Sequence, residues 1–595
     1  MDGTTKPAHE LTLRAIGTGM ITGALLAPCN VYSGLKIGWT FNMSVAAGLL
    51  GFAFWSSASH LFGTRHWALH ENNINQTAAS ASASIISAGL AAPIPALALL
   101  TGQTLAFEVL AVWLLVISLL GVVVAAGLRH QLLEREKLPF PSGVVTAETM
   151  TEIHSSGAES SARLRLLGLA AAASAALKAL VTAFGLGPMA PPLRWTLGLA
   201  GNKTLAVSSL NLGFALDPSL LMVGFGAIAG LRIGLSMLIG ALAGWAVLAP
   251  LALSQGWVSP GPATGLWFGP LVEWLLWPGA TLMATSALAG FLMSLVGVVR
   301  RRADATRRAQ RESSERADAT APRGFDKRLL WLAFVVVLIL GVIAQVTIFS
   351  IGPFEAMIAV ILSYVLAIVA ARVSGETAIT PIGALGKITQ LTFGAISPGQ
   401  ITTNLMTANV TGGAAGQCAD LMHDLRTGQI IGATPSFQMI AQIFGILTGS
   451  FVAAATYLLL IPSPQTQLLT PQWPAPAVAT WKAVAEVLAG GLAAMPPGAL
   501  VAIAIAAACG IVLAVLEARI PEQYARFVPS GSAIGLGFVI PAWNSLSLLA
   551  GAVVAFVLTR AYPDLAPKRV VVVAAGLIVG ESLTGVGSAL WGFFW

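Results

Sequence analysis

Read along the chain, apolar residues run in blocks of about twenty, the length a helix needs to cross the hydrocarbon core of a bilayer. Uninterrupted blocks cover 110–127, 282–299, 329–348, 357–369, 443–461, 501–516, 546–558 and 570–590. Blocks interrupted by Gly or polar residues cover 16–28, 43–61, 78–100, 166–184 and 391–406. The run 220–250 holds one charge, Arg232, and is long enough for a tilted helix or a broken pair. The pattern predicts an all-α polytopic membrane protein with roughly fourteen to sixteen crossings.

Two of these blocks repeat each other 311 residues apart. Pro218-Ser219 with Gly224 and Gly226 recurs as Pro529-Ser530 with Gly535 and Gly537. In the same register, Leu235-Ser236, Leu238 and Gly240-Ala241 recur as Leu546-Ser547, Leu549 and Gly551-Ala552. Nine of the 24 aligned positions are identical, against roughly two or three expected from this composition by chance. A second echo, Pro141-Ser142 with Ala147, returns as Pro435-Ser436 with Ala441. Internal duplication inside a membrane protein is most often the mark of a secondary transporter, whose substrate site lies where the repeats meet. The expected organisation is a transmembrane repeat over 1–300, a linker over 301–328 and a second transmembrane repeat over 329–595.

Composition sharpens this picture. Only 10% of the 595 residues are charged and 56% are hydrophobic, whereas a soluble chain carries about 25% charge. Bilayer is therefore its solvent. The counts of 62 Gly and 32 Pro fit helices that pack closely and break where the freed backbone lines a cavity. The three cysteines form no CxxC and lie in apolar runs, so they read as small core residues. The first ten residues lack the pattern of a cleavable signal. The segment 300–328 carries ten basic against five acidic residues and supplies most of the net charge of +7. The positive-inside rule places it in the cytoplasm, as a solvated linker rather than a nucleic-acid-binding arm. The expected location is the cell (inner) membrane.

Polar side chains inside apolar runs are expensive and so carry functional weight. Three groups stand out. The first, Asn30-Val31-Tyr32-Ser33-Gly34-Leu35-Lys36-Ile37-Gly38, follows Pro28 and reads either as a helix break facing a cavity or as a short polar loop. The second, Glu71-Asn72-Asn73-Ile74-Asn75-Gln76-Thr77, reads as a helix start at a polar vestibule or as an ordinary capped N-terminus. His66 and His70 nearby lack the companions of a metal site. The third runs over 397–428 and includes Asn404, Asn409, Gly413, Gln417, Asp420, His423, Asp424 and Arg426. On a helix Asn409, Gly413 and Gln417 share a face. Asp420 and Asp424 share another, and would repel unless one is protonated or a cation intervenes. Arg426 could instead pair with either acid in a structural ion pair. No Walker A, HExxH or GxSxG pattern is present.

In their order along the chain these segments resemble the oligopeptide transporter family, particularly its bacterial members and the plant yellow-stripe-like metal–chelate transporters. The resemblance is carried by the first two groups and by Lys137-Leu138-Pro139-Phe140-Pro141-Ser142-Gly143. It is carried further by Asp420-Leu421-Met422-His423-Asp424-Leu425-Arg426-Thr427-Gly428, Tyr524-Ala525-Arg526-Phe527-Val528-Pro529 and Gly576-Leu577-Ile578-Val579-Gly580-Glu581. It implies about sixteen transmembrane helices in two related eight-helix halves, and proton-coupled import of short peptides or of metals bound to amino-acid-derived chelators. One departure stands out. The yellow-stripe-like branch usually shows Gly-Asp-Gly where this chain has Gly580-Glu581-Ser582, the acid kept but one methylene longer.

The resulting expectation is a proton-coupled importer of small oligopeptides working by alternating access. The alternatives are an importer of metal chelates, a membrane-embedded enzyme built on Asp420, His423 and Asp424, and a passive channel. Asn30, Tyr32, Lys36, Asn72, Gln76, Asn404, Asn409 and Gln417 are expected to line the substrate path, because amides pair with peptide bonds without fixing side-chain identity. Glu71, Glu376, Asp420, Asp424 and Glu581 are the expected proton or cation handlers. Protons and the lipid bilayer are the expected partners, with no cofactor, no bound metal and no nucleic acid, and with a homo-oligomer possible.

Overall fold

The computed structural model describes residues 10–38, 42–155, 157–199, 204–263, 265–312, 327–377, 380–491, 495–525, 527–563 and 566–594. In chain order the first helices are α1 (Leu13–Ile37), α2 (Ser44–Phe62), α3 (Leu69–Ala83), α4 (Pro93–Thr101), α5 (Phe107–Arg129), α6 (Pro141–Ser155) and α7 (Gly157–Ala183). A small hairpin of β1 (Arg194–Gly198) and β2 (Thr204–Ser208), paired antiparallel from Arg194↔Ser208 to Gly198↔Thr204, precedes α8 (Leu220–Ala229) and α9 (Leu231–Ala241). Next come α10 (Ala249–Ser254), α11 (Phe268–Glu312), α12 (Lys327–Phe349), α13 (Pro353–Thr377), α14 (Ile382–Ile396), α15 (Ile401–Ile431) and α16 (Pro435–Leu460). The chain closes with α17 (Pro464–Gln467), α18 (Pro476–Gly490), α19 (Ala499–Arg519), α20 (Glu522–Ala525), α21 (Gly531–Val539), α22 (Ala542–Ala561) and α23 (Ala566–Phe594).

Among the described residues, thirteen helical stretches are long and apolar enough to cross a membrane. The architecture is the expected all-α polytopic membrane protein, but its crossings are not uniform rods. The stretch Leu69–Thr101 is helical from both ends and opens in the middle, where a 3₁₀ turn over Ser84–Ala88 leads to Gly89 at φ 132°. Helices α8, α14, α18 and α21 have between 9 and 15 residues, too short to span about 30 Å of hydrocarbon. Short helices with exposed backbone ends are tolerated at membrane depth only where protein or a cavity surrounds them. At Pro28 the structure corrects the expected break or loop. Helix α1 runs through this proline to Ile37 and ends at Gly38, whose φ is 77°. Proline in a transmembrane helix need not stop it when neighbours satisfy the freed backbone groups.

At the centre lies α15. Every residue from Thr403 to Leu425 is buried, so this helix has no lipid face. Its sequence explains why: Gly412, Gly413, Gly416 and a run of Ala, Thr and Asn let neighbours approach from all sides. A methyl group on Gly413 would lie 2.5 Å from the Ile117 side chain of α5, and one on Gly416 would lie 2.6 Å from Ser87 Oγ. Helices α12 and α19, both strongly apolar, lie at the periphery and leave Trp331, Val336, Val501 and Ile505 exposed, as a lipid-facing surface requires.

The two segments repeated at 311 residues pack on each other reciprocally. Gly226 of α8 meets the Leu548 carbonyl of α22, and Gly537 of α21 meets the Met237 carbonyl of α9. Gly551 of α22 meets the Val223 carbonyl, and Gly240 of α9 meets the Ile534 carbonyl. In each couplet the two glycines are offset by 311 positions, and so are the two carbonyls. None of these sites has room for a side chain, which accounts for two of the repeat's nine identities, Gly226/Gly537 and Gly240/Gly551. The second echo also falls on helix starts, because Pro141 opens α6 and Pro435 opens α16. Of the linker expected at 301–328, residues 301–312 continue α11 and 327–328 open α12, while 313–326 lie outside the described residues.

Candidate functional site

The polar centre is built where α3, α15 and α16 meet the N-terminus of α2. Asp420 and Asp424 stand one turn apart on α15. Gln76 of α3 donates Nε2–H to Asp424 Oδ1. Ser44, the first residue of α2, lies 3.1 Å from the same oxygen and 3.0 Å from Ser80 Oγ of α3. Ser80 Oγ in turn lies 3.1 and 3.3 Å from the two Asp420 oxygens. The result is a continuous chain, Asp420···Ser80···Ser44···Asp424, linking two buried carboxylates through two hydroxyls. Among the described residues no cation pairs with either acid. Arg426 turns away and donates to Gln429, and His423 Nε2 lies 3.0 Å from Ser374 Oγ.

Around this pair, polar atoms are buried in numbers unusual for a membrane interior. Gln438 of α16 donates to the Asp424 carbonyl at 2.7 Å, and Gln442 donates to Gln417 at 3.3 Å. Yet Gln76 Oε1, Gln417 Nε2, Gln442 Oε1 and Asp424 Oδ2 are buried without a protein partner. Each unmet group costs about 1–3 kcal/mol, so the fold bears a local cost at this place.

The expected path residues divide into two kinds. Gln76 and Gln417 border the acid pair. Asn30 and Asn409 hold the break between α3 and α4: Asn30 Nδ2 donates to the Ala83 carbonyl at 3.0 Å, and Asn409 Nδ2 to the Ala88 carbonyl at 2.8 Å. Trp113 Nε1 donates to Asn409 Oδ1 at 2.8 Å and fixes that amide. Asn404 and Gln390 of α14 bond each other, and Gln390 reaches on to the Trp481 carbonyl of α18. Asn72 donates to the Gly48 carbonyl at 3.0 Å and touches His154. These four amides satisfy carbonyls or neighbours at helix breaks and crossings.

The remaining acids stand apart from the pair. Glu71 accepts from Arg14, Thr12 and the Ala68 amide, which makes it the acid of a capped N-terminus, with Arg14 also lying over the Trp55 and Trp67 rings. Glu376 is half-buried near the end of α13. Glu581 of α23 accepts from Ser219 Oγ at 2.9 Å and the Leu221 amide at 2.8 Å, capping α8 from another helix. Tyr32 and Lys36 face this region of α23 rather than the aspartates. The Tyr32 ring packs edge-on against Trp473, 5.3 Å between centroids.

Ser44, Ser80, Gln438 and Gln442 complete the centre and escaped the reading of single polar clusters. Three of them carried a signal. Gln76, Ser80 and Ser84 recur at i, i+4 and i+8 along α3, and Gln438 and Gln442 at i, i+4 on α16. Ser44 carried none, because its partners are 36 and 380 positions away.

Comparison with known proteins gives the family. A family model described as OPT oligopeptide transporter protein matches residues 10–591. The chain is similar to the putative oligopeptide transporter YGL114W of Saccharomyces cerevisiae, 27% identical over 98% of this chain and 96% of the yeast protein. It is similar to the metal-nicotianamine transporter YSL2 of Arabidopsis thaliana, 23% identical over 98% of this chain and 93% of the plant protein. It also resembles the iron-phytosiderophore transporter yellow stripe 1 of Zea mays, 25% identical over 97% and 89%. The chain therefore belongs to the oligopeptide transporter family, a family of membrane transporters and not of enzymes.

Proposed function

We propose that the protein is a proton-coupled importer of small peptides working by alternating access, with Asp420 and Asp424 as the proton station. The observation that carries this reading is the hydroxyl-bridged acid pair. Its three links need three protons, and each serine hydroxyl supplies one. The third comes from a proton on one carboxyl group. With it, the chain is satisfied in either direction: reversing both hydroxyls moves the proton equivalent from one aspartate to the other. Without it, two like charges about 5–6 Å apart repel by about 3 kcal/mol at an effective dielectric constant near 20. Desolvation adds several kcal/mol per ion. A site that prefers to hold one proton, on a hydroxyl wire, suits a carrier that loads it on one side and releases it on the other.

Substrate passes beside this station along α3 and α15, where Gln76 and Gln417 carry buried polar atoms without a protein partner, able to pair with a peptide group. The break between α3 and α4, held by Asn30 and Asn409, and the short helices α14 and α18 provide the backbone joints. The protein sits in the cell membrane with residues 300–328 on the cytoplasmic side, as their charge requires.

The test is uptake of labelled trialanine by purified protein in proteoliposomes, with and without an inward proton gradient. Accumulation that follows the gradient, and is lost in Asp424→Asn, is the expected result. Uptake indifferent to the gradient overturns the coupling. A second reading, import of metal chelates, is favoured by the plant relatives named for metal-nicotianamine and iron-phytosiderophore. Among the described residues no group of three or more His, Cys, Asp or Glu is placed to hold a bare ion, but a chelate brings its own ligands. Uptake of an iron-loaded chelator, abolished by EDTA and indifferent to peptide, would establish it.

A further inference from the structure

A second set of charges gathers beside α23, past Tyr32 on α1. It is organised by α23. The Tyr32 ring lies on Gly585, where an added methyl group would meet its Cζ at 2.7 Å, so Lys36, one turn along α1, stands beside the same stretch of α23. Ser174 of α7 donates to the Leu577 carbonyl at 2.7 Å, which brings Lys178, one turn on, level with Glu581. Asp217 lies two residues before Ser219, whose hydroxyl holds Glu581. Two cations and two anions thus converge from α1, α7, the segment before α8, and α23. Among the described residues none of the four closes an ion pair.

Their surroundings set different roles. Both Glu581 oxygens are occupied by Ser219 and the Leu221 amide, so Glu581 anchors the start of α8. Lys36 is held by rings: its Nζ lies 5.8 Å from the Tyr32 centroid and 5.5 Å from the Trp473 centroid. That arrangement fixes a cation without neutralising it. Burial pushes the Asp217 carboxyl above its ordinary range, and Lys36 and Lys178 pull it back. One turn beyond Lys178 and Glu581, an open groove of about 410 Å³ is lined by Thr182, Thr584, Gly587, Ser588 and Trp591. It offers hydroxyls and an exposed indole at the mouth of the charged cluster.

We propose that Lys36, Lys178 and Asp217 form a docking station for the two ends of a zwitterionic substrate, the lysines taking a carboxylate and Asp217 an ammonium group. Charges of both signs, held apart by rings and by a helix cap, match a ligand that carries both. The station rests on the transporter reading and adds the chemical class its ligand must have. It also accepts free peptides and amino-acid-derived chelators alike, because each presents a carboxylate and an amine.

The experiment is binding of trialanine, N-acetyl-trialanine and trialanine amide to the purified full chain in nanodiscs by calorimetry, with no gradient present. The wild-type protein should prefer free trialanine over each blocked form by about tenfold, the worth of one charge-assisted hydrogen bond. Lys178→Gln should erase the penalty for the amide and keep that for the acetyl form. Asp217→Asn should do the reverse, and Lys178→Arg should retain both penalties, which separates charge recognition from misfolding. Equal binding of all three ligands to the wild-type protein overturns the station, as do penalties that survive unchanged in both charge-deleting variants. Either result leaves gradient-driven flux untouched, so the two readings fail separately. Absence of any tripeptide binding overturns the station and the peptide reading together.

Discussion

Glu71 and Asp424 are buried to the same degree, at 0% and 1% exposure, on helices that touch, and are held in opposite ways. Glu71 is matched by a guanidinium, a hydroxyl and a backbone amide, so its charge is balanced within the fold. Asp424 is matched by an amide and a hydroxyl only, and leads through Ser44 and Ser80 to a second acid. A buried charge with its own cation is a structural element whose removal loosens the protein. A buried acid without one depends on something that comes and goes. On the proposed mechanism, the difference would separate architecture from operation among residues that look alike in sequence.

Four variants would break or sharpen that contrast. Asp424→Asn should reduce gradient-driven uptake by about 100-fold or more, the scale of a lost proton-transfer group, while the thermal midpoint of the purified protein stays within a few degrees. A large drop in that midpoint would make Asp424 a structural residue instead. Arg14→Gln should do the opposite. It strands Glu71 and should destabilise the fold by about 3 kcal/mol, read as a lower midpoint, with uptake per folded molecule preserved. Gly226→Val, remote from both acids, should cost about 2 kcal/mol through overpacking against the Leu548 carbonyl, visible in the same melting experiment. Ser44→Ala should leave both acids in place and interrupt the wire between them, lowering coupled uptake by about tenfold, the worth of one hydrogen bond to a charged group. Unchanged coupling in that variant would mean the two aspartates exchange protons by another route.

Much of the fold was legible because bilayer thickness imposes one length on apolar runs. Each of the thirteen spans overlaps a block that composition marks, but the fourteenth block, 391–406, is divided between the end of α14 at Ile396 and the start of α15 at Ile401. The centre was less legible for the same reason. Helix α15 is too polar to count as a span, although it holds the longest run of buried residues among the described helices, because its lipid is replaced by other helices. Its acids were visible as a spacing, Asp420 and Asp424 at i,i+4. What bridges them was not, since Ser44 is an ordinary residue at the head of an apolar run and only tertiary packing brings it 380 positions to Asp424. The misreading at Pro28 has a similar origin. A proline's effect on a helix depends on what surrounds the freed carbonyl, and the local sequence does not say.

The reciprocal glycine contacts have a historical consequence. When residue i of one copy meets residue j of the other, and j meets i in return, the surface is the self-complementary kind found in two-fold dimers. Here both copies sit in one chain. The interface between α8–α9 and α21–α22 is what two separate, identical ancestors would have used to find each other before fusion joined them. Each of the four glycines faces a carbonyl of the other copy, so a side chain at any of them meets its twin's backbone. Drift in one is checked by the backbone of its twin.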